Sequence, residues 1–242
     1  MKKLNLTIIC ALGVTGAAFA QGTVNWIGLN AAAITAQTNA TQFAFGAGST
    51  GDGTIGNISS ASASPAFYFE LLYNTAFTGS QVSVPTYNQL FGGTWLDTGL
   101  TATNTTAAGS AGKLAPVAGN AAATVPWAHG VTNNIMLVGW SANLGTSWTT
   151  VSNILANWNT DEPFLTGDPF FGESATGFLN PGAFNPGTPV FGTSANQNGL
   201  PINSLNTQLY AIPLTIPTPE PGTIALAGLG GLSLLLFRRS EQ

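Results

Sequence analysis

Cysteine is all but missing from this chain: the only one, Cys10, lies close to the start. Its absence elsewhere excludes thiol catalysis, thiolate metal sites and disulfides from the rest of the protein. A body of roughly 200 residues buries enough surface to fold without such cross-links. Charge is almost as scarce, at 6% of residues against about 25% in ordinary globular proteins. Between Gln21 and Thr218 the one basic residue is Lys113, set against Asp52, Glu70, Asp97, Asp161, Glu162, Asp168 and Glu173. That balance excludes a basic nucleic-acid footprint and denies the chain any Arg or Lys clamp for phosphate. Histidine is also nearly absent. His129, in Pro126-Trp127-Ala128-His129-Gly130, stands alone. A nucleophilic triad would have to use it, with Asp97 or Asp161 as orienter, and no Gly-x-Ser-x-Gly elbow accompanies it. His129 therefore reads as a turn or strand-end residue, and no catalysis is expected.

What is present at the two ends is directional. Met1-Lys2-Lys3 is a basic start, Leu4–Ala17 is apolar with few interruptions, and Ala18-Phe19-Ala20 is a small-x-small cleavage site. This is a secretory signal peptide over residues 1–20, with cleavage expected before Gln21. Cys10 leaves with it. At the other end Pro217-Thr218-Pro219-Glu220-Pro221-Gly222-Thr223 precedes an apolar run, Ile224–Phe237, closed by Arg238-Arg239. Residues 222–237 would span about 24 Å as a helix, a thin transmembrane segment against a hydrocarbon core of roughly 30 Å. Gly228, Gly230 and Gly231 weaken it further. Arg238 and Arg239 act as the membrane stop and leave everything upstream on the far side.

The order Pro-Glu-Pro, apolar run, basic end resembles the PEP-CTERM tail of bacterial exosortase substrates. The resemblance covers residues 217–242. It implies that an exosortase-like membrane sorting protease is the partner and that Pro219, Glu220 and Pro221 are its recognition residues. It also implies a transient membrane tether, after whose removal the protein is released or transferred to the cell surface or extracellular matrix. The stretch Val138–Trp148 with Phe171-Gly172-Glu173-Ser174 is similar to the exported part of many such proteins, a likeness that brings no activity with it.

Residues 21–216 read as an exported β-rich domain. Ala66–Tyr73 places Phe67, Phe69, Leu71 and Tyr73 on one face and Tyr68, Glu70 and Leu72 on the other, the pattern of a strand buried on both sides. Asn134–Ser141 is a second central strand. Thr23–Leu29 and Gln42–Phe45 are shorter candidates, and Leu209–Ile216 is confined to an edge or strand end by Pro213. Ser147–Trp158 spaces Trp148, Val151, Ile154, Leu155 and Trp158 helically, with Thr146 or Ser147 as N-cap. Thr101–Ala123, rich in Thr, Ala, Gly and Asn, reads as a long loop. The expected fold is all-β, a jelly-roll-like β-sandwich with one short amphipathic helix, followed by the C-terminal transmembrane sorting helix. Pro169–Ala175 is echoed by Pro189–Ala195, which reads as shared turn chemistry rather than a repeat.

Within that body three groups of residues carry ligand chemistry. Asp161, Glu162, Asp168 and Glu173 crowd one stretch. The ordinary outcome is a solvated acidic loop; Ca²⁺ binding comes next, and glycoside hydrolysis by paired carboxylates last. Trp95 and Trp127 sit in loop-like contexts, where they either stack on sugar rings or cap the end of the sandwich, the latter being the commoner fate of so large a ring. Asn39-Ala40-Thr41, Asn57-Ile58-Ser59 and Asn104-Thr105-Thr106 fit the N-glycosylation pattern. The expected function is a non-enzymatic surface or matrix protein with a structural or adhesive role, partnered by extracellular polysaccharide or by its own copies. The alternative is a carbohydrate-binding module. Replacing Glu220 by Ala is expected to leave full-length precursor in the membrane fraction; normal processing of that variant on an immunoblot would overturn the tail assignment.

Overall fold

Period-two alternation of large apolar residues dictates a sheet with both faces covered, and the computed structural model has that arrangement. It describes residues 21–26, 35–43, 55–58, 66–117, 122–158, 168–203 and 206–212. The signal peptide, the acidic pair Asp161-Glu162 and the whole tail from 213 lie outside the described residues. The strands are β1 (Thr23–Asn25), β2 (Thr35–Phe43), β3 (Ile55–Asn57), β4 (Phe67–Asn74), β5 (Leu96–Asn104), β6 (Leu114–Pro116), β7 (Ala123–Thr124), β8 (Asn133–Ser141), β9 (Phe170–Glu173), β10 (Gly177–Leu179), β11 (Thr188–Pro189), β12 (Gly199–Leu200) and β13 (Asn206–Ala211). Two helices, α1 (Tyr87–Phe91) and α2 (Trp148–Ala156), complete the set with a 3-10 turn at Ala142–Leu144.

The chain is all-β in its described residues. One large sheet runs β3-β2-β13-β9-β8-β4-β5-β6, with β10 and β12 attached at the end of β8, and a small sheet runs β11-β1-β7. Pairing is antiparallel except for β13 with β2 and β11 with β1. In place of the expected jelly-roll-like sandwich of two comparable sheets, the described residues form one broad sheet and a three-stranded one.

Alternation along β4 splits the core in two. Phe69 and Leu71 join Ile135, Leu137, Val24, Trp26, Trp127 and Leu209 in one buried cluster, which includes the small sheet. Leu72 joins Met136, Val138, Trp140, Phe171 and the helical residues Trp148, Val151 and Leu155 in the other. Every residue of β8 is buried. Its far edge is shared by two strands, β9 against Val138–Trp140 and β10 against Asn133–Ile135. Between them Ser174 keeps the ladder closed: its N–H donates to the Leu137 carbonyl (2.8 Å) and its hydroxyl accepts from the Leu137 N–H (3.0 Å).

The amphipathic helix is where its spacing placed it. Ser147 is the N-cap, its hydroxyl accepting from the Thr150 N–H, and Trp148 and Trp158 are both buried. Trp148 packs on Trp140 and Phe171, ring centroids 5.9 and 6.3 Å apart.

Four expectations need correction. Thr101–Ala123 is not one loop, because Leu96–Asn104 is a nine-residue strand and β6 and β7 also lie there. The turn between β5 and β6 is itself hydrogen-bonded, from the Thr105 N–H to the Lys113 carbonyl (2.9 Å). A second helix, α1, exists, its Thr86 N–H donating to the Gln89 side chain (2.9 Å) in the capping-box manner. The last described strand starts earlier than Leu209 and ends at Ala211, ahead of Pro213, so of the two expected places it takes the strand end and not the edge, lying between β2 and β9. The short candidates also move: β2 is nine residues from Thr35, and the first strand is Thr23–Asn25. The echoed segments belong to different sheets, one on β9 and the other following β11. Among the described residues no helix is long and apolar enough to cross a membrane.

Gly139 lies where β8 packs tightest: a Cβ there would sit 2.6 Å from the Phe69 ring. Gly139→Ala is expected to destabilise the fold by about 1–3 kcal/mol through overpacking, read as a lower urea midpoint; an unchanged midpoint would show that the Phe69 contact is loose.

Candidate functional site

The titratable groups concentrate on the helix-covered face of the large sheet. Register places Thr101, Glu70, Val138 and Glu173 in one row across β5, β4, β8 and β9. Directly paired antiparallel residues share a face, so both glutamates point to the side of Trp140 and Phe171, with one strand between them. Two strand spacings put their Cα atoms roughly 10 Å apart. Glu70 is 2% exposed. Burial pushes its carboxyl up to about 9, the neighbouring Asp97 carboxyl adds to the rise by hydrogen bonding and like charge, and the Gly99 N–H opposes it. Burial alone raises Glu173 to about 7.

A bulge in β5 makes the Glu70–Asp97 approach. Glu70 pairs with Thr101 but Leu72 pairs with Asp97, so β5 carries extra residues between. Gly99 takes a φ of +76° there, a conformation open mainly to glycine. Its N–H donates to the Asp97 carboxylate (2.5 Å), while the Thr98 hydroxyl donates to the Leu71 carbonyl (2.7 Å). At neutral pH Glu70 is therefore a protonated carboxyl held against an exposed carboxylate. A carboxyl this buried does not meet a substrate. The pair locks the bulge.

The two tryptophans weighed between sugar stacking and capping are in the core. Trp95 is 5% and Trp127 is 7% exposed; Trp95 joins the helix-side cluster, and Trp127 stacks on Tyr73 with centroids 4.9 Å apart. Neither ring face is free for a sugar, so the capping alternative describes them. His129 is an exposed turn residue whose Nδ1 lies 2.8 Å from the Pro181 carbonyl oxygen. Of the candidate calcium ligands, Asp168 is exposed before β9 and Glu173 is half-buried at its end; among the described residues no group of three or more such side chains is arranged to hold a metal. Asn39 and Asn104 are buried, and the Asn104 carbonyl oxygen accepts from the Ala66 and Phe67 N–H groups (2.9 Å each). Both are structural in the folded chain.

A feature missed in the sequence lies at the β10–β12 end of the sheet. An open cleft of about 230 Å³ is lined by Phe77, Phe178, Asn180 and the tip Asn196-Gln197-Asn198. The two Phe rings pack with centroids 4.9 Å apart. The tip is closed by Asn196–Gly199 backbone bonds in both directions (2.8 and 3.1 Å), and the Asn198 N–H donates to the Asn196 side chain (2.8 Å). Gly199 (φ +140°) is required, because a Cβ there would run into the Phe178 carbonyl oxygen. Asn180 is anchored twice. Its N–H donates to the Asn198 carbonyl (2.7 Å), and its side-chain oxygen accepts from the Gly130 N–H (2.7 Å). The Asn-Gln-Asn-Gly run is a legible turn signal; its partnership with Phe178 is not local and leaves no mark in the sequence.

Comparison with known proteins speaks to the tail. Residues 217–240 match the family model of the PEP-CTERM protein-sorting motif. The chain carries a PEP-CTERM sorting motif. It is therefore an exported protein handled by an exosortase and sorted to the cell surface. No curated protein and no solved structure matches the chain.

The Glu70 pair makes stability depend on pH. The unfolded carboxyl loses its proton near 4.5 and the folded one near 9, so the folded state holds the extra proton between those values. This stabilisation is full below 4.5 and is lost as pH rises toward 9, at up to about 1.4 kcal/mol per pH unit. Thermal melts are expected to fall in midpoint from pH 5 to 9, with Glu173 contributing below about pH 7, and Glu70→Gln is expected to flatten the slope between pH 7 and 9; an equal slope there in the variant would remove Glu70 as its source.

Proposed function

We propose that this chain is a non-enzymatic, exosortase-processed protein of the cell surface or extracellular matrix, with a structural or adhesive role. The observation that carries the reading is the PEP-CTERM motif at residues 217–240. Pro219-Glu220-Pro221 is the element the sorting protease reads, Ile224–Phe237 tethers the precursor, and Arg238-Arg239 holds the tether on the inner side. The partners are that protease in transit and extracellular polysaccharide, or further copies of the chain, at the destination.

The body suits this work. A surface built from Asn, Thr, Ser and Gly stays hydrated without fixed charge and meets neutral polymers through hydrogen bonds. A hydrolytic role built on the acids from Asp161 to Glu173 is the least favoured reading: Asp168 is exposed before β9 and Glu173 is half-buried at its end, with no hydrolase spacing between them. Binding of carbohydrate is favoured by one specific observation, the uncharged cleft beside Phe178.

Intact-mass and terminal-peptide analysis of the protein from washed cells and from medium tests the sorting reading. The expected species starts at Gln21 and ends near Pro219–Pro221. A surface species that still contains Ile224–Phe237 would refute processing.

A further inference from the structure

We propose that the cleft between the Phe77–Phe178 pair and the Asn196–Asn198 tip is a binding subsite for a neutral sugar residue of a polysaccharide. The inference rests on the surface or matrix reading for its setting, but its chemistry comes from the cleft alone. None of the lining residues is charged, so the site has no fixed charge with which to favour a phosphate, a carboxylate or a metal ion over a neutral ligand. What it offers is an aromatic wall and a rim of carboxamides. A pyranose needs that combination: apolar C–H faces to lay against a ring, and hydroxyls that both donate to and accept from planar amides.

The site is built rather than incidental. Gly199 allows the tip to press on Phe178, the backbone bonds across Asn196–Gly199 set its shape, and Asn180 is held by its N–H and by its side-chain oxygen. That anchoring uses the carbonyl end of the Asn180 side chain and leaves its NH₂ free to donate. The Gln197 and Asn198 side chains are not consumed by the fold, since the hydrogen bonds within the tip use backbone groups and the Asn196 side chain. Asn180, held in place with its NH₂ unspent, needs little ordering on binding. At about 230 Å³ the cleft is smaller than the roughly 300–1,000 Å³ of sites for drug-sized ligands. It admits one ring at a time, so affinity per site is low and a polymer gains by engaging many copies of the protein.

Affinity electrophoresis of the chain recovered from cells tests this, through gels containing dextran, a mannan or a galactan, with polygalacturonate as the anionic comparison. Saturable retardation by at least one neutral polymer is expected, weakened by about tenfold or more in the Gln197→Ala/Asn198→Ala double variant. That is the loss expected of two direct hydrogen bonds. Both substitutions lie on the exposed or half-exposed tip and are expected to leave the thermal midpoint unchanged. Phe77→Ala, measured in parallel, removes the aromatic wall without touching the tip and is expected to weaken retardation as well. No retardation by any neutral polymer overturns the proposal, as does retardation that neither variant weakens. The mass of the same preparation reports tail processing. A sorted chain that does not bind refutes the cleft alone, and a binding chain that keeps its tail refutes the sorting reading alone.

Discussion

Strand β8 is the constraint on which the rest depends. All nine of its residues are buried, so each face must be covered and both edges must be paired. β4 satisfies one edge along Asn134–Ser141; β9, Ser174 and β10 satisfy the other in succession. Its side chains then alternate into two separate apolar clusters, Ile135 and Leu137 into one and Met136, Val138 and Trp140 into the other. The helices cover one face, and the small sheet contributes to the cluster on the opposite one. An unpaired backbone group at this depth would cost its full desolvation penalty, which explains why a serine side chain is recruited where two strands meet.

Scarcity of charge has an internal counterpart. Burial first, and the neighbouring Asp97 second, keep the Glu70 carboxyl protonated. The arrangement avoids the larger cost of an isolated buried charge and ties β4 to the bulge of β5. The same scarcity leaves the exposed cleft to amides and aromatic rings, which favours neutral ligands over ionic ones.

The parts of this fold legible in the sequence are those where large residues repeat with a clear period. β4, β8 and α2 belong to that class, and their limits were readable to within a residue or two. β5 was not, because its inward positions are held by Leu100, Ala102 and Asn104, too small or too polar to show a stripe. Burial there is imposed by the neighbours β4 and β6. α1 carried a short-range signal in Thr86 and Gln89, masked by its five-residue length. For Trp95 and Trp127 the commoner of the two weighed outcomes, burial, is the one observed. Gly-rich and Pro-rich surroundings mark loops, but loops that cross the end of a sheet put their rings inside. The cleft depends on Phe178 meeting a tip twenty residues further on, and no local pattern records that meeting.

The position of β13 has a consequence for export. This strand, the last described, fills a slot between β2 and β9, joining a segment from early in the chain, Thr35–Phe43, to one from late in it. The broad sheet cannot close until residue 211 has crossed the membrane, so the body is completed at the end of translocation rather than progressively. Only seven residues separate Ala211 from Pro219, a reach over eight Cα–Cα steps of at most about 29 Å. The sorting motif therefore lies within one small-domain diameter of the end of that strand.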